Sequence, residues 1–185
     1  MKIVVISGPS GVGKNTVVAE VLKLIPALRL GSSLTTRAAR PNDVPGKYTY
    51  VSRSEFEERA RRGELLEWAE YNGYLYGTLR PSEDRPALLE IEIQGAAQIK
   101  RLYPNACLMF MVTPGRDVQE QLQVLAERLR KRGTDQPAAI QKRLVRAEEE
   151  LRQGQSQSDI VIVNDNLATV VRQTTASIQE YLATN

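Results

Sequence analysis

A nine-residue stretch near the start of the chain, residues 8–16, constrains the fold more than any other part of the sequence. It follows an apolar, β-branched run at residues 3–6 and precedes apolar residues at helical spacing that begin at Val17. A strand, a glycine-rich turn and a helix in this order are typical of a phosphate-binding loop, because glycines let backbone N–H groups approach phosphate oxygens. The candidate ATP-binding residues of this loop are Gly8, Pro9, Ser10, Gly11, Val12, Gly13, Lys14, Asn15 and Thr16.

Position 15 departs from the usual pattern of such loops. Lys14 is a candidate catalytic residue, since its ammonium is expected to reach the β- and γ-phosphates as a point charge. The next residue is commonly Ser or Thr, whose hydroxyl binds Mg²⁺, and here it is Asn15. The amide oxygen of Asn15 and the hydroxyl of Thr16 are therefore the candidate Mg²⁺ ligands. The alternative is a glycine-rich turn that binds nothing.

The composition is that of a globular protein with one domain. The 185 residues are 42% hydrophobic and 25% charged, which is sufficient for a substantial core. No apolar run is long enough to span a bilayer, and the first strand follows Met1-Lys2 directly, so we expect no membrane association and no signal peptide. The single cysteine, Cys107, provides no disulfide framework, which favours a cytoplasmic location.

Charge and the absence of histidine narrow the possible chemistry. The 25 basic and 22 acidic residues are interspersed and form no continuous basic run, which predicts no nucleic-acid partner. Without histidine the chain lacks Ser-His and Cys-His nucleophiles and His-based metal sites. Phosphoryl transfer needs no histidine, because it depends on positioning and charge neutralisation.

The order of predicted elements indicates an α/β fold with a parallel sheet, helices on both faces and ligands at the carboxyl ends of the strands. Apolar runs predict strands at 28–34, 87–92, 106–112 and 159–164. Helical spacing predicts helices at 94–102, 117–131 and 167–182, and a further helix that follows a break at 133–137 and ends at residue 152. The polar residues 153–158 are predicted to form a surface loop.

A strand-rich block is inserted into this order at about residues 33–80. Asn72-Gly73, between strand patterns at 65–71 and 74–79, indicates a hairpin. Ser52 with Glu55 three residues later predicts the start of a helix, and Gly63 predicts its end. Arg37 and Arg40 lie in the loop after the strand at 28–34. Each guanidinium can bind a phosphate through two parallel N–H bonds, which favours a second phosphate site.

Taken together, these motifs resemble those of guanylate kinases over nearly the whole chain. They are the loop at 8–16, Ser-x-Thr-Thr-Arg-x-x-Arg at 33–40, Tyr-Gly-Thr at 76–78, acidic-x-acidic-x-Gln-Gly at 90–95, Arg-Leu-x-x-Arg-Gly-Thr at 128–134 and Val-Asn-Asp at 163–165. The resemblance implies a P-loop NTPase-type core with a strand-rich GMP-binding insert and a helical lid. It also implies phosphoryl transfer from ATP, with Mg²⁺, to GMP and to dGMP, for purine nucleotide recycling and GTP supply.

The resemblance also implies the acceptor site. Glu67 would accept hydrogen bonds from guanine N1–H and N2–H₂, and a hydroxyl of Ser33 or Thr78 would bind O6, whereas adenine would leave Glu67 unpaired. Trp68 and Tyr71 are expected beside Glu67. The GMP-binding residues implied are Ser33, Arg37, Arg40, Tyr48, Glu67, Tyr76, Gly77, Thr78 and Glu92.

Two departures from the family pattern affect this site. The chain reads Gly46-Lys47-Tyr48 where the family usually has an Asp between the Lys and the Tyr, which leaves Tyr50 as an alternative phosphate ligand or a core residue. Glu90 and Glu92 replace the usual pair of Asp residues. Two residues apart on a strand, they are expected to face the same side. Glu92 is expected to hold Mg²⁺ through water or to contact the base, and Glu90 is either functional or structural.

The remaining candidates belong to the lid and to the ATP side. Arg128, Arg132 and Arg143 match the lid arginines of the family and are candidate catalytic residues, and Asn164 is expected to border the adenine of ATP. The implied parts are a core (1–32, 81–125 and 145–185), a GMP-binding insert (33–80) and a lid (126–144). Two alternatives stay open: a guanylate-kinase-like module that binds phosphorylated peptides without catalysis, and a kinase for another nucleoside monophosphate.

Overall fold

The computed structural model describes residues 1–39, 43, 46–71, 73–81, 85–133 and 136–184. The strands are β1 (Ile3–Ser7), β2 (Arg29–Leu30), β3 (Ser33–Thr35), β4 (Tyr48–Tyr50), β5 (Leu65–Tyr71), β6 (Tyr74–Leu79), β7 (Ala87–Glu90), β8 (Cys107–Val112) and β9 (Ile160–Val163). The helices are α1 (Lys14–Leu24), α2 (Arg53–Arg61), α3 (Ile93–Leu102), α4 (Val118–Arg132), α5 (Pro137–Gln157) and α6 (Leu167–Ala183).

The core sheet contains five parallel strands in the order β2-β7-β1-β8-β9. Its central strand β1 is buried on both faces, as the unbroken apolar run predicts. Val4 and Ile6 pack with α1 and α6 on one face, and Ile3 and Val5 pack with α3 on the other. The predicted parallel sheet covered by helices is confirmed, and it places the loop after β1 at the carboxyl edge of the sheet.

A second sheet of four strands, in the order β4-β3-β6-β5, forms the inserted block. Strands β5 and β6 pair as the predicted antiparallel hairpin; Asn72 of its turn lies outside the described residues, and Gly73 has a φ of +78°. Ser52 accepts a hydrogen bond from Glu55 N and begins α2 as predicted. This sheet has its own small core, which contains Leu34, Phe56 and Leu75.

The predicted strand at 28–34 is wrong, because the chain changes sheets inside it. Gly31 N bonds Leu88 O of the core sheet, whereas Ser33 N bonds Lys47 O of the second sheet. A Cβ on Gly31 would lie 2.5 Å from Leu89 Cδ2, so a larger residue at the crossing would require the Leu89 side chain to move. The turn between β2 and β3 therefore joins the two sheets at the ligand-facing edge.

Two further boundaries differ from the sequence predictions. Residues 153–157 continue α5 instead of forming a loop, since Gly154 packs directly on the ring of Phe110 and tertiary contact outweighs the polar composition. Strand β7 ends at Glu90 and not at residue 92, because Glu92 begins α3 as its N-cap.

Within the described part of the chain, no helix is long and apolar enough to cross a membrane. Cys107 is buried in β8.

Candidate active site

The loop between β1 and α1 has the backbone geometry of a phosphate site. Gly8, Gly11 and Gly13 have φ values of +145°, +95° and +104°, which side chains rarely tolerate. A Cβ on Gly8 would lie 2.4 Å from the carbonyl oxygen of Met111. Gly13 precedes α1 without a side-chain cap, so the N-terminal N–H groups of the helix remain available for an anion.

Lys14, the first residue of α1, is directed back over the loop. Its ammonium donates to the carbonyl oxygens of Gly8 and Pro9. Burial lowers the pKa of Lys14, and the charge of Glu90 opposes this effect. Lys14 is thus held where phosphate oxygens of a bound nucleotide would accept its hydrogen bonds in place of these carbonyl oxygens.

Arg128 and Asn164 support the loop from behind. Arg128 on α4 donates to Asn164 O at 2.7 Å and to Val12 O at 3.3 Å, and the amide of Asn164 donates to Val12 O at 2.7 Å. A Cβ on Gly13 would meet this amide at 2.4 Å. In this conformation both side chains fasten the loop to the core, a role that the motif comparison had not assigned to them.

The other two lid arginines approach the loop from outside. Arg143 on α5 donates to the hydroxyl of Ser10, and Arg132 at the end of α4 is exposed and lines the same cavity. Gly133, with a φ of +69°, ends α4. The two helices α4 and α5 therefore bring guanidinium groups to the phosphate loop from one side.

Glu67 and Thr78 form the centre of a second, buried polar pocket. They face each other across β5 and β6, and the Thr78 hydroxyl donates to Glu67 Oε1 at 2.5 Å. Burial raises the pKa of Glu67 to about 7, and the nearby Glu92 adds to the increase, while the bond from Thr78 opposes it. Ser33, opposite Thr78 on β3, completes the pocket. The arrangement presents a carboxylate and two hydroxyls, as the guanine hypothesis requires.

Gly95 brings this pocket close to the core. A Cβ at Gly95 would lie 2.5 Å from Glu67 Oε2, so the glycine lets the Glu67 carboxylate lie against the start of α3. By contrast, Trp68 does not line the pocket: it packs edge-on against Phe56, 6.2 Å between ring centroids, and is 48% exposed. Expecting Trp68 beside Glu67 was wrong, because adjacent strand residues face opposite sides. Tyr71 does line the cavity, as expected.

Arg37 lies at the other end of this pocket, already paired with an anion. One guanidinium nitrogen, Nη2, donates to both carboxylate oxygens of Asp43 at 2.9 Å. The rings of Tyr48 and Tyr50 lie 5.3 and 5.9 Å from the guanidinium. Tyr48 lines the cavity, whereas the Tyr50 hydroxyl donates to Asp43. Arg40, the second predicted phosphate ligand, lies outside the described residues.

Glu90 and Glu92 do not share one face of a strand, contrary to prediction. Glu90 ends β7 and forms a buried ion pair with Lys47, 2.6 Å from Nζ to Oε2. Glu92 has left the strand and accepts from Gly95 N at 2.6 Å and Gln94 N at 3.0 Å, which stabilises the start of α3. A helix cap between the two carboxylates explains why strand periodicity fails here.

These contacts also test the predicted protein ligands for Mg²⁺. Asn15 Oδ1 accepts from Lys47 Nζ at 3.0 Å, and both Glu90 and Glu92 are engaged as described. Among the described residues, no group of three or more Asp, Glu, His or Cys side chains is arranged to hold a metal ion. In this conformation Asn15 Oδ1 and the Glu92 carboxylate therefore accept hydrogen bonds from donors of the chain itself. Thr16, the remaining candidate ligand, is exposed and lines the cavity.

One cavity of about 450 Å³ joins the phosphate loop to the second pocket. From the loop it is lined by Gly8, Ser10, Gly11, Gly13, Lys14, Asn15 and Thr16. From the second sheet it is lined by Ser33, Arg37, Tyr48, Glu67, Tyr76, Gly77 and Thr78. From the helices it is lined by Glu92, Arg128, Arg132 and Arg143.

Three residues of the site were missed by sequence reasoning. Lys47 bonds Asn15 of the loop from the edge of the second sheet, and Glu150 lines the cavity. Arg146 donates to Glu150 at 3.1 Å, and its guanidinium lies 3.7 Å from the centre of the Tyr71 ring. Glu150 is the last of three consecutive glutamates, a charged run that indicates a solvated helix face. Its burial, which raises its pKa, is visible only in the fold.

A phosphate loop at the carboxyl edge of a parallel sheet, facing a polar pocket on an inserted sheet, defines a P-loop nucleotide-binding protein. The family model described as guanylate kinase matches residues 1–181. The chain is 47% identical over 177 residues to a guanylate kinase of Gloeobacter violaceus, covering 92% of this chain and 83% of that protein. It is 44% identical over 177 residues to one of Prochlorococcus marinus, covering 92% and 90%.

Structural comparison agrees with the sequence comparisons. The crystal structure of a guanylate kinase from Anaplasma phagocytophilum matches with a TM-score of 0.79 at 27% identity, covering 99% of this chain and 87% of that chain. The chain therefore belongs to the guanylate kinase family. The resemblance inferred from the motifs is confirmed.

Proposed function

We propose that this protein transfers the γ-phosphoryl group of ATP to the phosphate of GMP, producing ADP and GDP. The observation that carries the proposal is the single cavity that holds Lys14 at one end and the Glu67–Thr78 pair at the other. With the ATP phosphates at the loop and the guanine base at Glu67, the γ-phosphate of ATP and the phosphate of GMP would meet between these two ends of the cavity. The related guanylate kinases support GMP as the acceptor.

In the proposed reaction, an oxygen of the GMP phosphate attacks the γ-phosphorus of ATP in line with the bond to the β–γ bridging oxygen. That bond breaks, and the electron pair leaves with ADP. The attacking oxygen is already anionic, so no general base is needed. Lys14, Arg132 and Arg143 would neutralise the charge that spreads over the transferred group.

The acceptor would be held by residues of the second sheet. Glu67 would accept from guanine N1–H and N2–H₂, and a hydroxyl of Ser33 or Thr78 would donate to O6. Arg37 would release Asp43 and bind the GMP phosphate instead. Tyr48, Tyr76 and Arg40 would bind the same phosphate. Closure of the inserted sheet and of helices α4 and α5 on both nucleotides would exclude water, which would otherwise hydrolyse ATP.

ATP would enter as its magnesium complex, with the metal carried on the nucleotide phosphates as part of the substrate. We further place the reaction in the cytoplasm, in purine nucleotide recycling that supplies GTP. We assign residues 33–80 to the GMP-binding insert, 126–144 to the lid and the rest to the core.

A coupled ADP-release assay with Mg·ATP tests the proposal. GMP, AMP, CMP and UMP are compared as acceptors, with Glu67→Gln and the control Glu70→Gln beside the wild type. Glu70 lies on the same strand but is exposed and paired with Arg53. We expect turnover with GMP alone, lost in Glu67→Gln and retained in Glu70→Gln. Turnover with another acceptor, or none with any, would overturn the assignment.

A further inference from the structure

Lys47 crosses from the second sheet to the phosphate loop and is almost completely buried there. Only 3% of its side chain is exposed, and its ammonium lies 2.6 Å from Glu90 Oε2 and 3.0 Å from Asn15 Oδ1. These partners are 43 and 32 residues away in the sequence. One buried side chain thus connects the inserted sheet, the end of β7 and the first turn of α1.

The contact determines which way the Asn15 amide points. An ammonium group has three donors and no acceptor, so the amide atom that faces Lys47 must be the oxygen. The NH₂ group of the same planar amide is then directed away from Lys47. Because Asn15 is exposed and lines the cavity, its NH₂ group is presented where nucleotide phosphates would lie. Residue 15 therefore offers a donor to phosphate, whereas Ser or Thr would offer an oxygen to a metal.

The same ammonium controls the charge beside Lys14. Glu90 is only 8% exposed, and its carboxylate would leave an unpaired buried charge if Lys47 were removed. The neighbouring Lys14 would be the cation available to pair with it. With Lys47 in place, Lys14 instead contacts the loop carbonyls of Gly8 and Pro9, in the position to bind phosphate.

We propose that Lys47 is a positioning residue of the phosphoryl-transfer site, which holds Asn15 as a hydrogen-bond donor to the ATP phosphates and excludes it as a metal ligand. This inference rests on the proposed function in taking ATP as the nucleotide at the loop. It predicts that the chain binds ATP phosphates with its own donors, so the contribution of residue 15 does not depend on magnesium.

Isothermal titration with the β,γ-imido analogue of ATP, in MgCl₂ and separately in EDTA, tests the role of Asn15. Asn15→Asp keeps the oxygens, removes the donor and adds a charge. We expect it to weaken binding in EDTA by at least about tenfold, and Asn15→Ala to weaken binding by a similar factor with and without magnesium. If the loss in Asn15→Ala occurs only in MgCl₂, or if Asn15→Asp strengthens binding in MgCl₂, Asn15 is a metal ligand and the inference is overturned.

A double-mutant cycle tests whether Lys47 acts through Asn15. Lys47→Met is expected to weaken binding about tenfold or more, and Asn15→Ala added to it to cost less than about twofold further. An undiminished effect of Asn15→Ala in the Lys47→Met background would overturn the coupling. Lys23→Met is the control, since Lys23 lies on α1 with Asn15 but is exposed and paired with Glu20. It should leave affinity unchanged.

Two further measures keep the experiment decisive. If Lys47→Met unfolds early in a thermal melt, the double variant Lys47→Met/Glu90→Gln takes the place of Lys47→Met in the cycle. This double variant removes both buried charges, so it leaves no unpaired carboxylate. The titrations contain no GMP, so they report on Lys47 and Asn15 independently of turnover. Absence of GMP phosphorylation in the wild type would therefore overturn the proposed function while leaving the binding result to decide this inference.

Discussion

The Thr78 hydroxyl and the Glu67 carboxylate are hydrogen-bonded at 2.5 Å across two antiparallel strands, in a pocket where burial raises the pKa of Glu67 to about 7. Guanine can be bound through its N1–H and N2–H₂ groups only by the ionised form. We therefore expect kcat/KM for GMP to rise with pH through about 7 and to level off above it. A pH profile of the ADP-release assay measures this. A flat profile between pH 6 and 8 would contradict the assignment of Glu67.

The same group predicts how stability depends on pH without nucleotide. The folded protein retains the Glu67 proton up to about pH 7, whereas the unfolded chain releases it near the ordinary pKa of 4.5. Its stabilising contribution is therefore fully present below pH 4.5 and is lost as the pH rises to 7, a change of about 3 kcal/mol. Urea unfolding of wild type and Glu67→Gln should diverge by this amount over that range. A constant difference would show that folding does not shift the pKa of Glu67.

Arg128 and Arg132, one helical turn apart, are expected to have different roles. Arg128→Met removes two hydrogen bonds to backbone carbonyls and should lower the free energy of unfolding by about 2 kcal/mol. Arg132→Met should reduce kcat by about 10³-fold, because the transferred phosphoryl group loses a cation. Thermal melts and steady-state kinetics separate the two effects, with the exposed Arg130→Met as control. Equal losses of kcat without a change in stability would contradict this division.

Gly8→Ala tests the close approach of the loop to β8. The added Cβ would lie 2.4 Å from the backbone oxygen of Met111 at a φ of +145°, so the loop must shift. We expect a loss of about 3 kcal/mol in the free energy of unfolding. Gly63→Ala, at a φ of +72° with open space around it, should cost only about 1 kcal/mol. Similar values for both variants would mean that φ alone matters.

Asp43 holds Arg37 in the place that the GMP phosphate is proposed to take. Asp43→Asn weakens this pair, so less free energy is needed to release the guanidinium. We expect KM for GMP to fall about tenfold at low salt, and less at high salt. Glu58→Gln, which breaks an exposed pair with Arg62 on α2, is the control. An increase in KM would show instead that Asp43 is needed to orient Arg37.

Prediction from sequence succeeded where structure depends on near neighbours. The loop at 8–16, the hairpin strands at 65–71 and 74–79 and the cap at Ser52 follow from short-range backbone geometry, and all have the expected form. It failed at 28–34 and at 153–158 because distant contacts decided those segments. There the chain changes from one sheet to the other at Gly31, and Gly154 packs on Phe110.

The sequence by itself determined the phosphate loop, the parallel core sheet, the inserted hairpin and membership of the family, because these depend on glycine spacing, periodicity and motif order. Only the tertiary structure decided that Glu92 caps a helix, that Arg128 fastens the loop and that Lys47 holds Asn15 and Glu90. Because the partners of the Lys47 ammonium are 32 and 43 residues away, no periodic pattern in the sequence predicts these contacts. Its role arises only when the inserted sheet folds onto the core and excludes water from the pair.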